Sequence, residues 1–178
     1  KIAPDSITTP QNFTADIRIR DLGDLAHVIH PQLHSLSSAS LQGSFSSATN
    51  ATTLNVSVPS LKFGDYTVRK IAVENTSGNG QFFFNAFVDE VYQKDSLMVD
   101  TLQAGVKTTG NDFVFDMSVY GKNKNIYGIT SAKVTPQTGY ASVTIAPSEF
   151  KLGNNIWRFA PGNLLEVAGR RITSRGLI

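Results

Sequence analysis

The feature that most constrains this chain is a series of segments in which apolar and polar residues alternate, separated by short turns. In residues 113–120, the apolar side chains of Phe113, Phe115, Met117 and Val119 occupy every second position. Side chains on an extended strand point to opposite faces with a period of two, so these four lie on one face. A helix would spread them around its circumference. The pattern predicts a strand with one apolar and one polar face.

The central part of the chain, residues 81–147, predicts a run of such strands. Turns of about three to five residues rich in Gly, Asn and Lys suit hairpin connections. Parallel neighbours would need crossovers of about a dozen residues. We therefore expect an antiparallel meander. Its predicted strands are Phe82–Tyr92, Leu97–Val106, Phe113–Tyr120, Ile126–Val134 and Tyr140–Ile145.

Segments on both sides of this run show the same alternation. Pro59 marks a strand end or edge position, because proline has no N–H to donate. Ser35–Ser40 is interpreted as a polar linker and Thr76–Gly80 as a loose loop. The further predicted strands are Phe13–Arg20, Leu41–Ser47, Leu54–Val58, Tyr66–Val73, Ser148–Leu152, Ile156–Phe159 and Leu164–Val167, with a final strand opening at Arg171.

One stretch, from Leu22 to about Leu36, has helical periodicity, with Asp21 as its N-cap. Pro31 interrupts it, so we expect a short helix to about His30. The imidazoles of His27, His30 and His34 have spacings that suit a metal, but no Asp, Glu or Cys completes a ligand set on that face. We expect partly exposed histidines and no metal site.

Composition limits the class of protein. The 178 residues, 40% of them hydrophobic, suit a single β-rich domain over residues 1–178. A net charge of +2, scattered along the chain, predicts no nucleic-acid partner. There is no cysteine, and no apolar run approaches the roughly 20 residues that span a bilayer. The start, Lys-Ile-Ala-Pro, lacks Met and a signal peptide, so we expect a fragment of a longer chain.

No catalytic motif is present in the sequence. Ser, His and Asp occur, but without a Gly-x-Ser-x-Gly elbow or anything that places them together. No glycine-rich loop of the phosphate-binding kind precedes a helix. The carboxylates fall at turns or on the polar side of strands, where solvation explains them. We expect a protein that is not an enzyme and has no cofactor.

The predicted strands share one continuous apolar face, which must be covered because monomers rarely expose large apolar patches. Two sheets can cover each other as a sandwich binding module, such as an adhesin or carbohydrate-binding domain. A closed barrel would make a carrier, and one sheet can also curl into a trough that leaves room for an apolar guest. The candidate groove residues are Ile17, Ile19, Phe45, Leu54, Val56, Phe63, Phe82, Phe84, Phe113, Phe115 and Val119.

The order of the parts resembles a segment of the TamB family of translocation and assembly module proteins, of the kind in Bacteroides-like bacteria. A strand runs into Asp-Leu-Gly-Asp-Leu-Ala-His-Val-Ile-His-Pro at residues 21–31. Leu-Lys-Phe-Gly-Asp-Tyr-Thr-Val follows at 61–68, and Asn-Ile-Trp-Arg-Phe at 155–159. The resemblance covers residues 13–172 and consists of strand and turn patterns.

The resemblance implies both a fold and a function. The fold is all-β, a mostly antiparallel meander curled into a trough (β-taco-like), with one short helix near the N-terminus. TamB-like proteins are anchored in the inner membrane, cross the periplasm and work with an outer-membrane barrel protein of the TamA type. The family is implicated in outer-membrane protein assembly and in phospholipid transport, so the expected guests are phospholipids or outer-membrane protein clients.

Overall fold

The computed structural model describes residues 10–122, 126–152 and 154–176, and within these ranges it is a single antiparallel sheet of 14 strands. Neighbouring strands follow the order β1-β2-β3-β4-β5-β7-β8-β9-β10-β13-β14, while β6 pairs with β5, and β11 joins β9 to β12. The strands are β1 Asn12–Asp21, β2 Leu33–Ser46, β3 Ala51–Phe63, β4 Tyr66–Gly78, β5 Gln81–Gln93, β6 Ser96–Val99, β7 Thr101–Thr109, β8 Asp112–Tyr120, β9 Ile126–Gln137, β10 Tyr140–Ile145, β11 Ser148–Leu152, β12 Asn155–Phe159, β13 Leu164–Ala168 and β14 Arg171–Arg175.

The expected antiparallel meander with one short helix near the N-terminus is confirmed. The described strand order is open, with β1 at one end and β14 at the other, so the sheet does not close into a barrel. Tight turns connect the long strands. Asn79 and Gly80, between β4 and β5, have φ values of 52° and 73°, as the favoured two-residue hairpin turn requires. The predicted turn at residues 123–125 and the lead-in at residues 1–9 lie outside the described residues.

The helical stretch is shorter than its apolar periodicity indicated. It comprises one 3₁₀ turn, Gly23–Leu25, and the α-helix α1, Ala26–Ile29, and it ends before Pro31 as predicted. The prediction of Asp21 as the N-cap was wrong, because Asp21 ends β1 and Leu22 is the N-cap of the 3₁₀ turn. Asp21 Oδ1 still accepts the Gly23 N–H at 2.8 Å. The assignment of Leu33 and Leu36 to the helical stripe was wrong, because both belong to β2.

Several strands are longer than predicted, because pairing to neighbours extends them through polar residues. The interpretation of Ser35–Ser40 as a linker was wrong, since Ser37 pairs with Ser60 and Ser40 with Ser57. The predicted loop at Thr76–Gly80 is also mostly strand, since β4 continues to Gly78. Hydrogen bonds from two flanking strands outweigh the weak strand propensity of Ser and Asn.

The apolar face of the sheet is not sealed by a second layer. Among the residues the structure describes, only the apolar side chains of Ala26 and Ala39 are fully buried. A sandwich of this size would bury most of its inward-facing side chains. The apolar residues of the face are instead half-buried or exposed, which agrees with an open single-layer sheet.

A transverse break, formed by Ser38, Pro59, Lys70 and Asp89, crosses four adjacent strands. Pro59 and Lys70 are left out of the pairing between β3 and β4, and Lys70 and Asp89 are left out of the pairing between β4 and β5. Ser38 and Lys70 have left-handed φ values of 52° and 49°. Pro59 was predicted to end a strand or to lie at an edge. It lies inside β3, and this position tolerates it because the ladder needs no donor there.

The break explains a change in the spacing of apolar residues. Residues three apart in a regular strand point to opposite faces. A left-handed residue interrupts the pleat of β2 at Ser38 and of β4 at Lys70, and the alternation of apolar residues changes phase at this line of the sheet. Val58, Ile71 and Val88 are cross-strand partners on one side of the break, and Leu61, Val68 and Val91 on the other. Apolar residues three apart flank it in each strand: Leu36/Ala39, Val58/Leu61, Val68/Ile71 and Val88/Val91.

We expect Ser38→Gly to stabilise the fold by about 1 kcal/mol, because glycine adopts a left-handed φ without the steric cost of a β-carbon. The matched control is Ser40→Gly, in the same strand at a position without a positive φ. It should destabilise by roughly 0.5–1 kcal/mol. Urea titration gives both free energies of unfolding. Equal effects of the same sign would contradict this account of the break.

Candidate hydrophobic groove

The candidate groove is one face of the sheet, built from cross-strand rows of apolar side chains. Phe84 pairs with Val106, and Val106 with Phe115. The row continues through Ala132 to Ile145. At the β1 end, the rings of Phe13 and Phe45 lie 5.7 Å apart. The alternation that made these segments strands thus also gathers their apolar residues on one face.

The register brings nearly all the predicted groove residues to this face. Phe63 lies on the other side of the transverse break, two positions after Leu61 and beside the β3–β4 turn, with its ring 5.1 Å from that of His30. Exposure varies along the face: 52% for Ile17, 40% for Phe115, and intermediate for Phe84. The residues that share the face are Ile17, Ile19, Phe45, Leu54, Val56, Phe82, Phe84, Phe113, Phe115 and Val119.

The opposite face carries the charged side chains, which form ion pairs between neighbouring residues. Arg69 Nη1 lies 3.2 Å from Glu90 Oε2, and Arg158 Nε lies 2.8 Å from Glu149 Oε2. Lys70 pairs with Asp89 at the transverse break, and this hydrogen bond raises the pKa of Lys70. Exposed pairs contribute little stability. Their consequence is a sheet with one charged and one apolar side.

Two carboxylates on the charged face have lowered pKa values. A hydrogen bond from Arg18 lowers the pKa of Asp16. The Thr135 hydroxyl, at 2.7 Å, and then the charge of Lys133 lower the pKa of Asp112. Each interaction favours folding above the pKa of the unfolded chain, and is lost as the pH falls through the lowered value. Ordinary hydrogen bonds and ion pairs explain both shifts.

The sheet forks at β9, whose two halves have different partners. Residues 132–137 pair with β10, and residues 126–129 pair with β11. Phe150 of β11 lies opposite Gly128, and its ring covers that glycine: an added β-carbon would lie 2.7 Å from Phe150 Cε1. Only a residue without a side chain fits beneath the ring.

A cavity of about 400 Å³, here called the fork pocket, opens on the apolar face where the two branches separate. The rings of Phe150 and Phe159 pack edge to face with their centroids 6.1 Å apart. Trp157 lies opposite Phe150 and is 65% exposed. The residues that line the pocket are Thr130, Ala132, Ile145, Phe150, Trp157 and Phe159.

Asn163 stabilises the fork from the side of β10. Its side chain is 2% exposed, and its Oδ1 accepts the Ile145 N–H at 2.9 Å. Its Nδ2 donates to the carbonyl oxygens of Ile145 and Ala160, at 3.0 and 2.7 Å. The amide thereby ties the end of β10 to the turn between β12 and β13.

The imidazoles of His27, His30 and His34 do not converge on one point. The rings of His27 and His34 meet edge to face at 5.2 Å, while the ring of His30 lies against Phe63. Within the described ranges, no group of three or more His, Cys, Asp or Glu side chains is arranged to hold a metal ion.

A second cavity, of about 480 Å³, lies on the charged face above Gly105. Phe83 and Ile129 line it, together with the amides of Asn85 and Gln103, whose side chains hydrogen-bond at 3.3 Å. Among the described residues around it, Asp116 is the one carboxylate. Its lining of mixed polarity distinguishes it from the fork pocket.

The comparisons with known proteins do not assign the chain to a family. No family model, curated protein or solved structure matches it. Among the described residues, no helix has the length and apolar character needed to cross a membrane.

Sequence reasoning missed two parts of this face. The fork pocket was missed because the pairing of β11 with β9 leaves no local signal. The apolar row of Leu61, Val68 and Val91 was missed because its residues fall at positions that uninterrupted alternation would assign to the polar face. A local signal did exist for that row, namely apolar residues three apart within alternating segments.

We expect Asn163→Ala to destabilise the fold by about 1–3 kcal/mol, because it leaves the N–H and carbonyl of Ile145 without their partner. Asn155→Ala, at an exposed position of β12, is the control and should change stability by about 0.5 kcal/mol or less. Chemical denaturation measures both. Similar values for the two variants would show that Asn163 does not anchor the fork.

We expect Gly128→Ala to destabilise the fold by about 1–3 kcal/mol, because the new methyl group displaces the ring of Phe150. Gly105→Ala is the matched control, since its β-carbon would meet the Phe84 carbonyl oxygen at an ordinary 3.6 Å. Replacing Phe150 by Leu in the Gly128→Ala background should recover part of the loss. A double-mutant cycle tests this, and strictly additive effects would contradict the contact.

Proposed function

We propose that this chain is a non-enzymatic segment of a TamB-like, periplasm-spanning protein, and that its apolar face shelters a hydrophobic guest. The observation that carries the proposal is the row of Phe84, Val106 and Phe115, which is apolar across three strands yet remains accessible. The guest is a phospholipid acyl chain or the apolar side of an outer-membrane protein client in transit.

The physical basis is burial of apolar area without a polar recognition code. Removing apolar surface from water contributes about 25 cal/mol per Å². The gain does not depend on direction, so a guest is held while it remains free to slide along the face. The charged pairs lie on the other side of the sheet, so the apolar face offers little competing polar surface.

The proposal places the segment in a larger assembly. The resemblance to the TamB family supports a parent chain anchored in the inner membrane and an outer-membrane barrel partner of the TamA type. The open ends of the sheet, β1 and β14, have unpaired backbone edges that suit extension by further strands or pairing with a client strand.

Photo-crosslinking in cells tests the groove. A photoreactive phenylalanine analogue replaces Phe84 or Phe115 on the apolar face, and Asp116 or Glu74 on the charged face. We expect lipid or client-protein adducts from the first two positions and few from the others, because only the first two contact the guest.

Glu74 is the stricter control, since Asp116 borders the cavity above Gly105. It lies on β4 opposite Asn85. Equal labelling from all four positions would contradict a groove confined to one face. Absence of adducts from Phe84 and Phe115, with the variant proteins folded, would also contradict it.

A further inference from the structure

The fork pocket is an open cavity on the apolar face, and it lay outside the residues predicted for the groove. We propose that the fork pocket is a specific binding site for the methyl end of one hydrocarbon chain of an amphiphile. The rest of that hydrocarbon chain lies along the groove. The inference rests on the proposed function and deepens it, since it assigns the guest a chemical class, an orientation and an end point.

The lining selects hydrocarbon over groups that form hydrogen bonds. Its one side-chain hydroxyl, Thr130 Oγ1, is already paired with Ser148 Oγ at 3.2 Å. Within the described part of the chain, every buried side-chain nitrogen and oxygen has a partner. Apart from the exposed indole N–H of Trp157, the pocket therefore has no free side-chain group with which to recognise a polar head.

On the side of β10, the backbone of the pocket disfavours an extended peptide as the occupant. A client strand binds a sheet through unpaired N–H and C=O groups. At Ile145 both groups are taken by the side chain of Asn163. The same contact that stabilises the fork thus removes the hydrogen bonds that a docking strand would need at Ile145, whereas β12, which pairs only with β11 among the described strands, keeps one unpaired edge.

The size of the pocket suits the end of one chain. An apolar cavity of about 150 Å³ binds benzene. At about 400 Å³, the fork pocket has room for a longer hydrocarbon segment. Its aromatic walls, Phe150, Trp157 and Phe159, are large apolar surfaces that lose little conformational entropy on contact.

The pocket is continuous with the groove. Phe115 lies opposite Ala132, which lies opposite Ile145, while Met117 lies opposite Thr130. A chain resting against Phe115 therefore reaches Ala132, in the pocket wall, by crossing to the next strand. The groove holds the chain along its length, and the pocket holds its end.

Occupancy of the fork pocket can be followed by the fluorescence of Trp157, because it is the only tryptophan in the sequence. The experiment titrates the purified protein with lysophosphatidylcholine brominated either at the methyl end of the acyl chain or beside the headgroup, below the micelle concentration. Bromine quenches indole fluorescence at contact. We expect stronger quenching by the methyl-end lipid at equal occupancy, with occupancy measured by equilibrium dialysis.

A variant that fills the pocket provides the second measurement. Ala132→Phe should weaken lipid binding about tenfold, because it takes up the space and apolar area that the chain end occupies. Ala72→Phe, on the charged face of β4 opposite Phe87, is the matched control and should bind as the unmodified protein does. Circular dichroism verifies the fold of both variants.

The outcomes separate the pocket from the groove. If both brominated lipids bind and quench equally, the pocket is not the binding site of the chain end, and the groove proposal is unaffected. The same conclusion follows if a folded Ala132→Phe variant binds lipid as tightly as the unmodified protein. If neither lipid binds, both the proposed pocket site and the proposal that the guest is a lipid are overturned.

Discussion

The hydrophobic effect acts on only one side of this sheet, and the rest of the structure depends on keeping apolar residues there. Without a second layer, stability comes from apolar side chains that cover one another across neighbouring strands. A strand that presented them to the other face would lose that cover. The transverse break at Ser38, Pro59, Lys70 and Asp89 is the clearest consequence, because the apolar spacing of the strands changes at the place where the backbone interrupts the pleat.

The same constraint gives the chain one extended apolar face of half-exposed aromatic and aliphatic residues, with the charged pairs on the other face. The proposed function rests on this face. At the fork of β9, Phe150 covers Gly128 and Asn163 satisfies the backbone of Ile145. These two contacts turn an otherwise shallow face into a defined apolar cavity.

The strands and their faces were predictable because alternation is a local signal. Phe113–Tyr120 was predicted almost to the residue, since each position repeats the same pattern. Polar stretches such as residues 35–40 and 76–78 were not, because what makes them strands is pairing on both sides, which local propensity does not record. The residues of the apolar face followed from the strands. Phe150 and Trp157 were not assigned to a pocket, because Phe150 pairs with Gly128 of β9, about twenty residues earlier in the chain, and Trp157 pairs with Phe150.

By itself, the sequence determined the all-β class, the antiparallel connections, and which residues share a face, because each depends on neighbours within a few positions. Among the described residues, the tertiary structure alone decided that the sheet stays open, that β9 pairs with both β10 and β11, and that no second layer covers the apolar face. Each of these depends on contacts between distant segments, and the same alternating pattern is compatible with a sandwich, a barrel or an open sheet. The pattern fixes which side of a strand is apolar, and only the packing of whole strands determines what that side meets.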